Sequence, residues 1–409
     1  MKEQYTTERF HTEIVKAPLY RLPETSWVTG RNVILFVALA GWILCAAGFS
    51  ANRLQFHASY LVAFTYCISI LLAGMFFVMI QHLTGSAWSV TVRRLMENLI
   101  VTMPVAALLF VPVALGLHSL YEWTHLDVVV KDPVLTGKAP YLNEKFFLIR
   151  AAFFLGLWVL WSWKLHGHST RQDTSDEPVE HMHSASRWSA PGLLMVILTG
   201  TLASFDWIMS LDPHWYSTIF GLYVFSGGAQ AFFAVLILIC LGFRSSGILR
   251  RQITVEHYHD LGKWLFAMTV FWAYIGFSQY MLIWYANIPE ETIYFRHRLE
   301  GSWAAWSLLL LLGRFILPFL ILLPRASKRN LQILGPMAGW ILFCHFVDHY
   351  WMVSPVFQKH GVHLHWMDLA ALLAVGSTLG LAFWWRIRKH SLVPARDPRL
   401  EQGLEFHNA

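Results

Sequence analysis

The chain has 409 residues, of which 56% are hydrophobic and 14% are charged, and 31 Lys and Arg against 25 Asp and Glu give a net charge of +6. Soluble domains carry about 25% charged residues, so this composition excludes a cytosolic enzyme and is typical of an integral membrane protein. The basic residues lie in short groups beside apolar runs rather than in one stripe, which argues against a nucleic-acid-binding protein.

Ten apolar runs are long enough to cross a bilayer, which needs about 20 residues per helix. They predict an all-α membrane domain at 32–386, between polar tails at 1–31 and 387–409. The spans are predicted at 32–50, 60–82, 95–119, 146–166, 188–211, 218–242, 261–286, 300–323, 331–353 and 365–386.

Ten spans place both termini on one side of the membrane. Most of the 31 Lys and Arg fall in segments on that side, so the positive-inside rule predicts cytoplasmic termini. The longest segments between spans are 120–145, opposite the termini, and 167–187, on the termini side. The latter is rich in Ser, His and acidic residues and is predicted to be a mobile linker between a first half, 32–211, and a second half, 218–386.

Three ionisable residues lie well inside the predicted spans, namely Asp206, Arg314 and Asp348. A charge at that depth costs on the order of 2.5–3.5 kcal/mol on insertion scales and marks a functional candidate. Asp348 shares a helical face with His345 and His349, a group suited to passing protons. The alternatives are that Asp348 only joins two helices, or that the histidines bind haem or metal. Arg314 is expected to pair with Asp348, or else to face helix carbonyls.

Polar residues at helical spacing accompany these charges in the fifth and sixth spans. Such a stripe can line a wetted half-channel, and it can equally consist of hydrogen bonds between packed helices. The stripe around Asp206 contains Thr199 and Ser210, and the stripe in the sixth span contains Tyr223, Ser226 and Gln230.

His82 and Glu97 lie at the termini-side ends of the second and third spans. They are candidates for the point at which protons enter the membrane domain. The simpler interpretation is that both are solvated at the membrane surface.

A short internal repeat supports a division into two halves. Asp206 is followed by Pro213 and Asp348 by Pro355, seven residues later in both cases. The repeat predicts two parallel four-helix bundles, spans 2–5 and spans 6–9, flanked by spans 1 and 10. The four cysteines are far apart within apolar runs, and their spacing matches no haem-attachment or iron–sulfur motif.

Three segments carry a family resemblance: SFDWIMSLDPHWYSTIFGLYVFSGGAQAF, HDLGKWLFAMTVFWAYIGFSQYMLIWYANIPEET and HFVDHYWMVSP. With them the chain resembles the NrfD-like (polysulfide reductase membrane-subunit-like) subunits of bacterial alternative complex III, and among these the ActF type, over essentially its whole length. The resemblance implies ten helices in two four-helix bundles and no haem or metal in this chain. It also implies that Asp206, Asp348, His349 and Arg314 occupy the family's intramembrane polar positions.

The resemblance further implies the setting, a respiratory menaquinol:cytochrome c or menaquinol:oxidase complex in the bacterial cytoplasmic membrane. The implied partners are a sister NrfD-like subunit that binds quinol, an iron–sulfur protein, multi-haem and mono-haem cytochromes c, small membrane subunits and a terminal oxidase. Haem c and iron–sulfur clusters would belong to those partners, while menaquinone, menaquinol and lipid are the molecules that this chain could contact.

The working hypothesis is a structural subunit with a proton half-channel. On this hypothesis, Asp206→Asn and Asp348→Asn should each lower proton translocation and spare quinol oxidation. A secondary transporter with two parallel helical repeats is the alternative, and a di-haem quinol oxidoreductase is a third class.

Overall fold

The structure is a computed structural model that describes residues 21–359 and 361–408, and every regular element in these ranges is a helix. Ten of the helices are long and apolar enough to cross a membrane, which confirms the predicted number of spans. They are α1 (Glu24–Ala51), α2 (Arg53–Leu83), α3 (Val90–Leu115), α4 (Glu144–Gln172), α5 (Pro178–Trp207), α6 (Phe220–Ser245), α7 (Val255–Ala286), α8 (Gly301–Leu322), α9 (Leu331–Val353) and α10 (Trp366–Ile387).

The predicted linker at 167–187 is wrong, because α4 and α5 continue through most of it and only 173–177 separates them. Pro178 stands in the first turn of α5, where its missing N–H is tolerated. The segment is polar because these helix ends lie beyond the apolar part of the spans. Composition alone did not distinguish a solvated helix from a loop.

Parts of both segments predicted as polar tails are helical. Residues 1–20 of the tail predicted at 1–31 lie outside the described residues, and α1 already begins at Glu24. After α10 the chain returns across the termini-side end of the bundle and forms a short helix, Leu400–Leu404, against α3. The buried Asp397 precedes that helix.

Two of the spans are irregular. α3 is interrupted by turns and carries Pro104 and Pro112, which cannot donate backbone hydrogen bonds. α8 contains a π-helical segment, Leu310–Ile316, in its middle. π-Helical turns inside α-helices occur frequently at functional sites.

α2 lies at the centre of the domain and packs against α3, α5, α6, α9 and α10, whereas α1 packs mainly along α10 at the edge. The apolar stretch of α2 is 78% buried within the chain and that of α1 only 22%. The exposed face of α1 carries large apolar side chains such as Phe36 and Ile43, as expected for contact with lipid. The two halves of the chain meet where α2 packs against α6, α9 and α10 and where α1 packs along α10.

Candidate functional site

A fully buried charged pair joins α8 to α9. Nη1 of Arg314 lies 2.5 Å from Oδ2 of Asp348, and the two side chains are 0% and 1% exposed. The hydroxyl of Tyr223 on α6 donates to the other carboxylate oxygen at 2.5 Å. The expected pairing of Arg314 with Asp348 is therefore present, and it takes in one member of the polar stripe on α6.

Further groups around the Arg314 guanidinium hold it in place. Its Nε donates to Oε1 of Gln230 at 2.8 Å, and its Nη2 donates to the carbonyl oxygen of Gly227 at 3.1 Å and to Nδ1 of His345 at 3.0 Å. The ring of Trp272 lies against the guanidinium, 4.5 Å from Cζ to the ring centroid. Because a cation is costly to bury unless it is paired and hydrogen-bonded, this set of contacts explains how Arg314 is accommodated.

Two backbone features make room for these contacts. Arg314 lies within the π-helical segment Leu310–Ile316. On α6, a Cβ atom at Gly227 would lie 2.9 Å from Nη2 of Arg314, and one at Gly228 would lie 2.5 Å from the carbonyl oxygen of Ser69 on α2. The glycine pair therefore lets α6 approach both α2 and the guanidinium.

A row of hydrogen-bonding side chains continues from Arg314 into the first half of the chain. Nε2 of His345 lies 3.0 Å from Oγ of Ser69, and the same oxygen lies 3.3 Å from Nε2 of His349. Nδ1 of His349 lies 3.1 Å from Oγ1 of Thr65. Within the described residues, hydrogen bonds thus connect the two histidines to Asp348 only by way of Arg314. The sequence alone predicts that all three side chains share one broad helical face, but it does not show this intermediate.

The bonds of His345 fix where its proton lies. A guanidinium only donates, so Nδ1 of His345 accepts from Arg314, and the neutral imidazole carries its proton on Nε2, facing Ser69. The Ser69 hydroxyl has two acceptors within reach, the carbonyl oxygen of Tyr66 at 2.9 Å and Nε2 of His349. Rotation of this one hydroxyl therefore connects the two imidazoles or separates them.

An apolar cavity of about 540 Å³ adjoins the charged pair between α6, α7 and α8. Tyr223 and Trp272 belong both to its wall and to the contacts of Asp348 and Arg314. The exposed side chains of Phe277 and Leu311 also line it, so the cavity opens toward the lipid. It lies toward the membrane face opposite the termini, where α6 begins and α7 ends.

An aromatic layer lies on the termini side of the network. The network ends there with Gln230, whose amide donates to Oγ1 of Thr269 at 2.9 Å. One turn further along α6, Phe233 stacks on Trp264 with ring centroids 5.4 Å apart, and Phe77 meets Phe233 edge-on at 4.6 Å. This aromatic layer consists of Phe77, Phe233 and Trp264. Its three side chains contain no polar group that could extend the row of hydrogen bonds, apart from the indole N–H of Trp264.

A second polar group, the termini-side cluster, surrounds Glu97. His82, Arg93 and Arg94 lie 3.2–3.4 Å from its carboxylate, and Arg93 also pairs with Asp397 of the C-terminal segment. His82 and Glu97 are 6% and 0% exposed. The interpretation of these two residues as solvated at the surface is wrong, because both side chains are buried in a cluster in which the C-terminal segment supplies Asp397 as a counter-ion to Arg93.

Asp206 pairs with Arg150, a residue that the sequence analysis did not select. Nε and Nη2 of Arg150 donate to the two oxygens of Asp206 at 2.7 and 3.1 Å, and Nη1 donates to the carbonyl oxygen of Tyr141 at 2.9 Å. The rings of Tyr141 and Phe146 lie 3.8 and 4.4 Å from Cζ of Arg150. Arg150 is the seventh residue of α4 and was not selected because it stands near the start of the predicted span 146–166, close to the membrane surface.

The remaining stripe residues make local or helix-to-helix bonds. Oγ1 of Thr199 accepts from the indole of Trp158 at 2.8 Å, and Oγ of Ser210 accepts from that of Trp123 at 3.4 Å. Ser226 donates to the carbonyl oxygen of its own helix at Tyr223. For Thr199 and Ser210, this geometry is that of hydrogen bonds between packed helices.

The sequence analysis also did not select Thr65 and Ser69, although their spacing could have indicated them. They are four residues apart in the second span and hence lie on one helical face, the same criterion that selected the stripes on α5 and α6. Their partners lie almost three hundred positions away in α9, so the sequence contains no local indication of the pairing.

No family model and no curated protein matches this chain. Among residues 21–359 and 361–408, no group of three or more His, Cys, Asp or Glu side chains is arranged to hold a metal ion.

Proposed function

We propose that this chain is a proton-conducting integral membrane subunit of a bacterial respiratory quinol-oxidising complex. The complex would transfer electrons from menaquinol to cytochrome c or to an oxidase, and this subunit would carry no redox centre of its own. The observation that supports proton conduction is the buried row of side chains from Asp348 through Arg314, His345 and Ser69 to His349. The assignment to the ActF-type NrfD-like subunits of alternative complex III is supported by the resemblance described above.

The architecture under this proposal is two four-helix bundles, α2–α5 and α6–α9, with α1 and α10 outside them and both termini in the cytoplasm. The helix contacts support the bundles, since α6 packs on α7 and α9, and α8 packs on α9, while α2, α4 and α5 are joined in the same way in the first half. The excess of Lys and Arg on the termini side supports the orientation.

The steps of conduction follow from the hydrogen-bond directions. Asp348 accepts a proton on the oxygen that faces Tyr223, which removes the counter-charge of Arg314. The uncompensated guanidinium then disfavours a positive charge on the nearby imidazoles, so a proton held on His349 is released at the hydroxyl groups of Ser69 and Thr65, while His345 keeps its proton and stays neutral. Return of Asp348 to the ionised state restores the pair.

Proton translocation by the intact complex in proteoliposomes tests this proposal. Asp348→Asn should lower the proton-to-electron ratio while leaving quinol oxidation unchanged, and Ser69→Ala should do the same because it breaks the row between the imidazoles. Asp206→Asn, for which the sequence analysis also expected lower translocation, becomes the matched control, because the side chain of Asp206 pairs with Arg150 and makes no contact with this row. A normal ratio in both Asp348→Asn and Ser69→Ala would contradict proton conduction by this row.

Purification through a tag on this chain in mild detergent tests the setting. Co-purification of c-type cytochromes and an iron–sulfur protein, with their absorption in a reduced-minus-oxidised spectrum, is the expected result. A colourless single chain would contradict the proposed complex and would favour the secondary transporter instead.

The cavity beside Asp348 favours a second candidate function, binding of the quinone ring or isoprenoid tail. It is apolar, it opens toward lipid, and it places the Tyr223 hydroxyl between its interior and the Asp348 carboxylate. Titration of the purified protein with a short-chain menaquinone analogue should quench tryptophan fluorescence, and Gly276→Trp, which fills the cavity wall, should abolish the quenching. Equal quenching in both proteins would contradict this site.

A further inference from the structure

A second groove lies far from the buried network, at the termini-side end of α1 and α10. It encloses about 580 Å³ and is lined by Trp27, Arg31, Leu35, Thr378, Leu381 and Trp385, among others. Polar and aromatic side chains form its end near the membrane surface, and Leu35 and Leu381 lie deeper along the same helices. The groove thus has a basic head and an apolar body.

Four basic side chains stand against two tryptophan rings that line this groove, and of the four Arg31 is itself part of the lining. Each cation lies within about 6 Å of a ring centroid, the range of a cation–π contact. Arg31 and Arg388 lie over Trp27 at 4.8 and 4.1 Å, and Arg386 and Lys389 lie over Trp385 at 5.4 and 3.4 Å.

These cations exceed the anions near them. Within the described ranges, Arg388 pairs with Glu24, while no ion pair is formed by Arg31, Arg386 or Lys389. The Arg388 side chain is 47% exposed and Trp385 is 48% exposed, so the head of the groove is open to an approaching group. An anion placed there would meet three positive charges, those of Arg31, Arg386 and Lys389, that pair with no carboxylate of residues 21–359 and 361–408.

The depth of the groove fits an amphipathic ligand. From Trp385 to Thr378 it follows α10 for two helical turns, about 10 Å at 1.5 Å per residue. Trp and Tyr prefer the headgroup level of a bilayer, and basic pockets between membrane helices bind anionic headgroups. A phosphate at the level of Trp385 would therefore place an acyl chain along Leu35 and Leu381.

We propose that this groove binds an anionic phospholipid, with the phosphate held by Arg31, Arg386 and Lys389 and one acyl chain lying between α1 and α10. The assignment rests on the excess positive charge and on the apolar continuation of the groove into the membrane. It is independent of proton conduction, because none of these residues contacts the network around Arg314.

Native mass spectrometry of the purified full chain with added phosphatidylglycerol or phosphatidylcholine tests the site. Wild-type protein should retain phosphatidylglycerol in preference to phosphatidylcholine. The triple variant Arg31→Gln, Arg386→Gln, Lys389→Gln should bind phosphatidylglycerol at least tenfold more weakly, because each cation near the membrane surface adds to the attraction. Arg187→Gln is the matched control, since it removes an exposed arginine on the same side of the domain.

A second variant separates a built groove from general surface charge. Ala382→Trp fills the groove and leaves all four cations in place, and it should also weaken phosphatidylglycerol binding at least tenfold. Unchanged binding in Ala382→Trp would overturn the proposal, as would equal losses in the triple variant and in Arg187→Gln. Cross-linking of this groove to a protein subunit in the native membrane would overturn it too.

Discussion

In each half of the chain an arginine–aspartate pair joins two neighbouring spans, and these two pairs have different surroundings. Arg150 and Asp206 join α4 to α5 near the membrane face opposite the termini, and Arg314 and Asp348 join α8 to α9 in the interior. In the first pair, Nη1 of Arg150 donates to the backbone carbonyl oxygen of Tyr141. In the second, the donors of the arginine lead on to side chains that can change protonation.

The difference separates a structural ion pair from a candidate site. The helices that carry the pairs are the third and fourth of each proposed bundle, so the pairs occupy equivalent places in the repeat. Two further helices distinguish the second pair: α6 brings Tyr223 to Asp348, and α2 brings Ser69 to His345, which contacts Arg314. The two pairs consist of the same residue types. It is therefore the neighbouring side chains that make the second pair a candidate for proton transfer.

Removal of one carboxylate should give the largest difference between the pairs. Asp348→Ala is expected to lower the free energy of unfolding by about 3–5 kcal/mol, because it leaves Arg314 charged and buried. Asp206→Ala should cost about 1–3 kcal/mol, since Arg150 keeps a carbonyl oxygen and two ring faces. Denaturation by dodecyl sulfate in mixed micelles measures both, and equal losses would contradict the distinction.

Replacement of both partners at once should sharpen the comparison. The double variant Arg314→Met, Asp348→Leu should return to within about 1 kcal/mol of the wild-type free energy of unfolding, because no uncompensated charge remains. Proton translocation should nevertheless stay low in that variant. The same double replacement at Arg150 and Asp206 should leave translocation normal, and a loss there would show that the first pair also conducts.

The packing of α2 on α6 offers a way to disturb only the second pair. Gly228→Ala should cost about 1–3 kcal/mol of stability, because the new Cβ would lie 2.5 Å from the Ser69 carbonyl oxygen. Gly242→Ala on the same helix has nothing within 4 Å of the added atom and should gain up to about 1 kcal/mol. Thermal unfolding in detergent compares them, and a loss of the same size at Gly242 would refute the close-contact explanation.

The smallest effect on stability is expected outside the spans, at Asp397. This carboxylate also pairs with arginine, so it can be compared with the two pairs inside the spans. Burial alone would raise the pKa of Asp397, but Arg93 and Arg399 outweigh it and hold the pKa well below its usual range. A lowered folded pKa contributes stability that is complete above the unfolded value near 3.8 and is lost as pH falls through the folded pKa. Docking of the C-terminal segment should therefore be constant from pH 8 to pH 5.

A spin label on the exposed residue 402 can follow this docking. Asp397→Asn should mobilise the label at neutral pH, whereas the wild-type label should gain mobility only well below pH 4. Mobility that rises already between pH 7 and pH 6 would instead implicate His257, whose imidazole contacts the carbonyl oxygen of Gly403.

The sequence was sufficient for the number of spans, because about 20 consecutive apolar residues have few alternatives to a membrane helix. It was also sufficient for Arg314 and Asp348, since a charge deep in a span requires a partner and adjacent spans are the nearest source. It failed at 167–187, where polar residues on a helix that leaves the membrane have the composition of a loop. It failed for Arg150 and Ser69 because their partners are fixed by the packing of the helices, which no local pattern records.

The aromatic layer between the network and the termini-side cluster also has an electrical consequence. Hydrocarbon rings polarise far less than charged and hydroxyl groups, so much of the voltage across the membrane should fall over the few ångströms occupied by Phe77, Phe233 and Trp264. Carrying one elementary charge through the whole potential involves about 2.3 kcal/mol for each 100 mV. Any ion that crosses this protein would therefore exchange most of its electrical energy within a single layer of side chains.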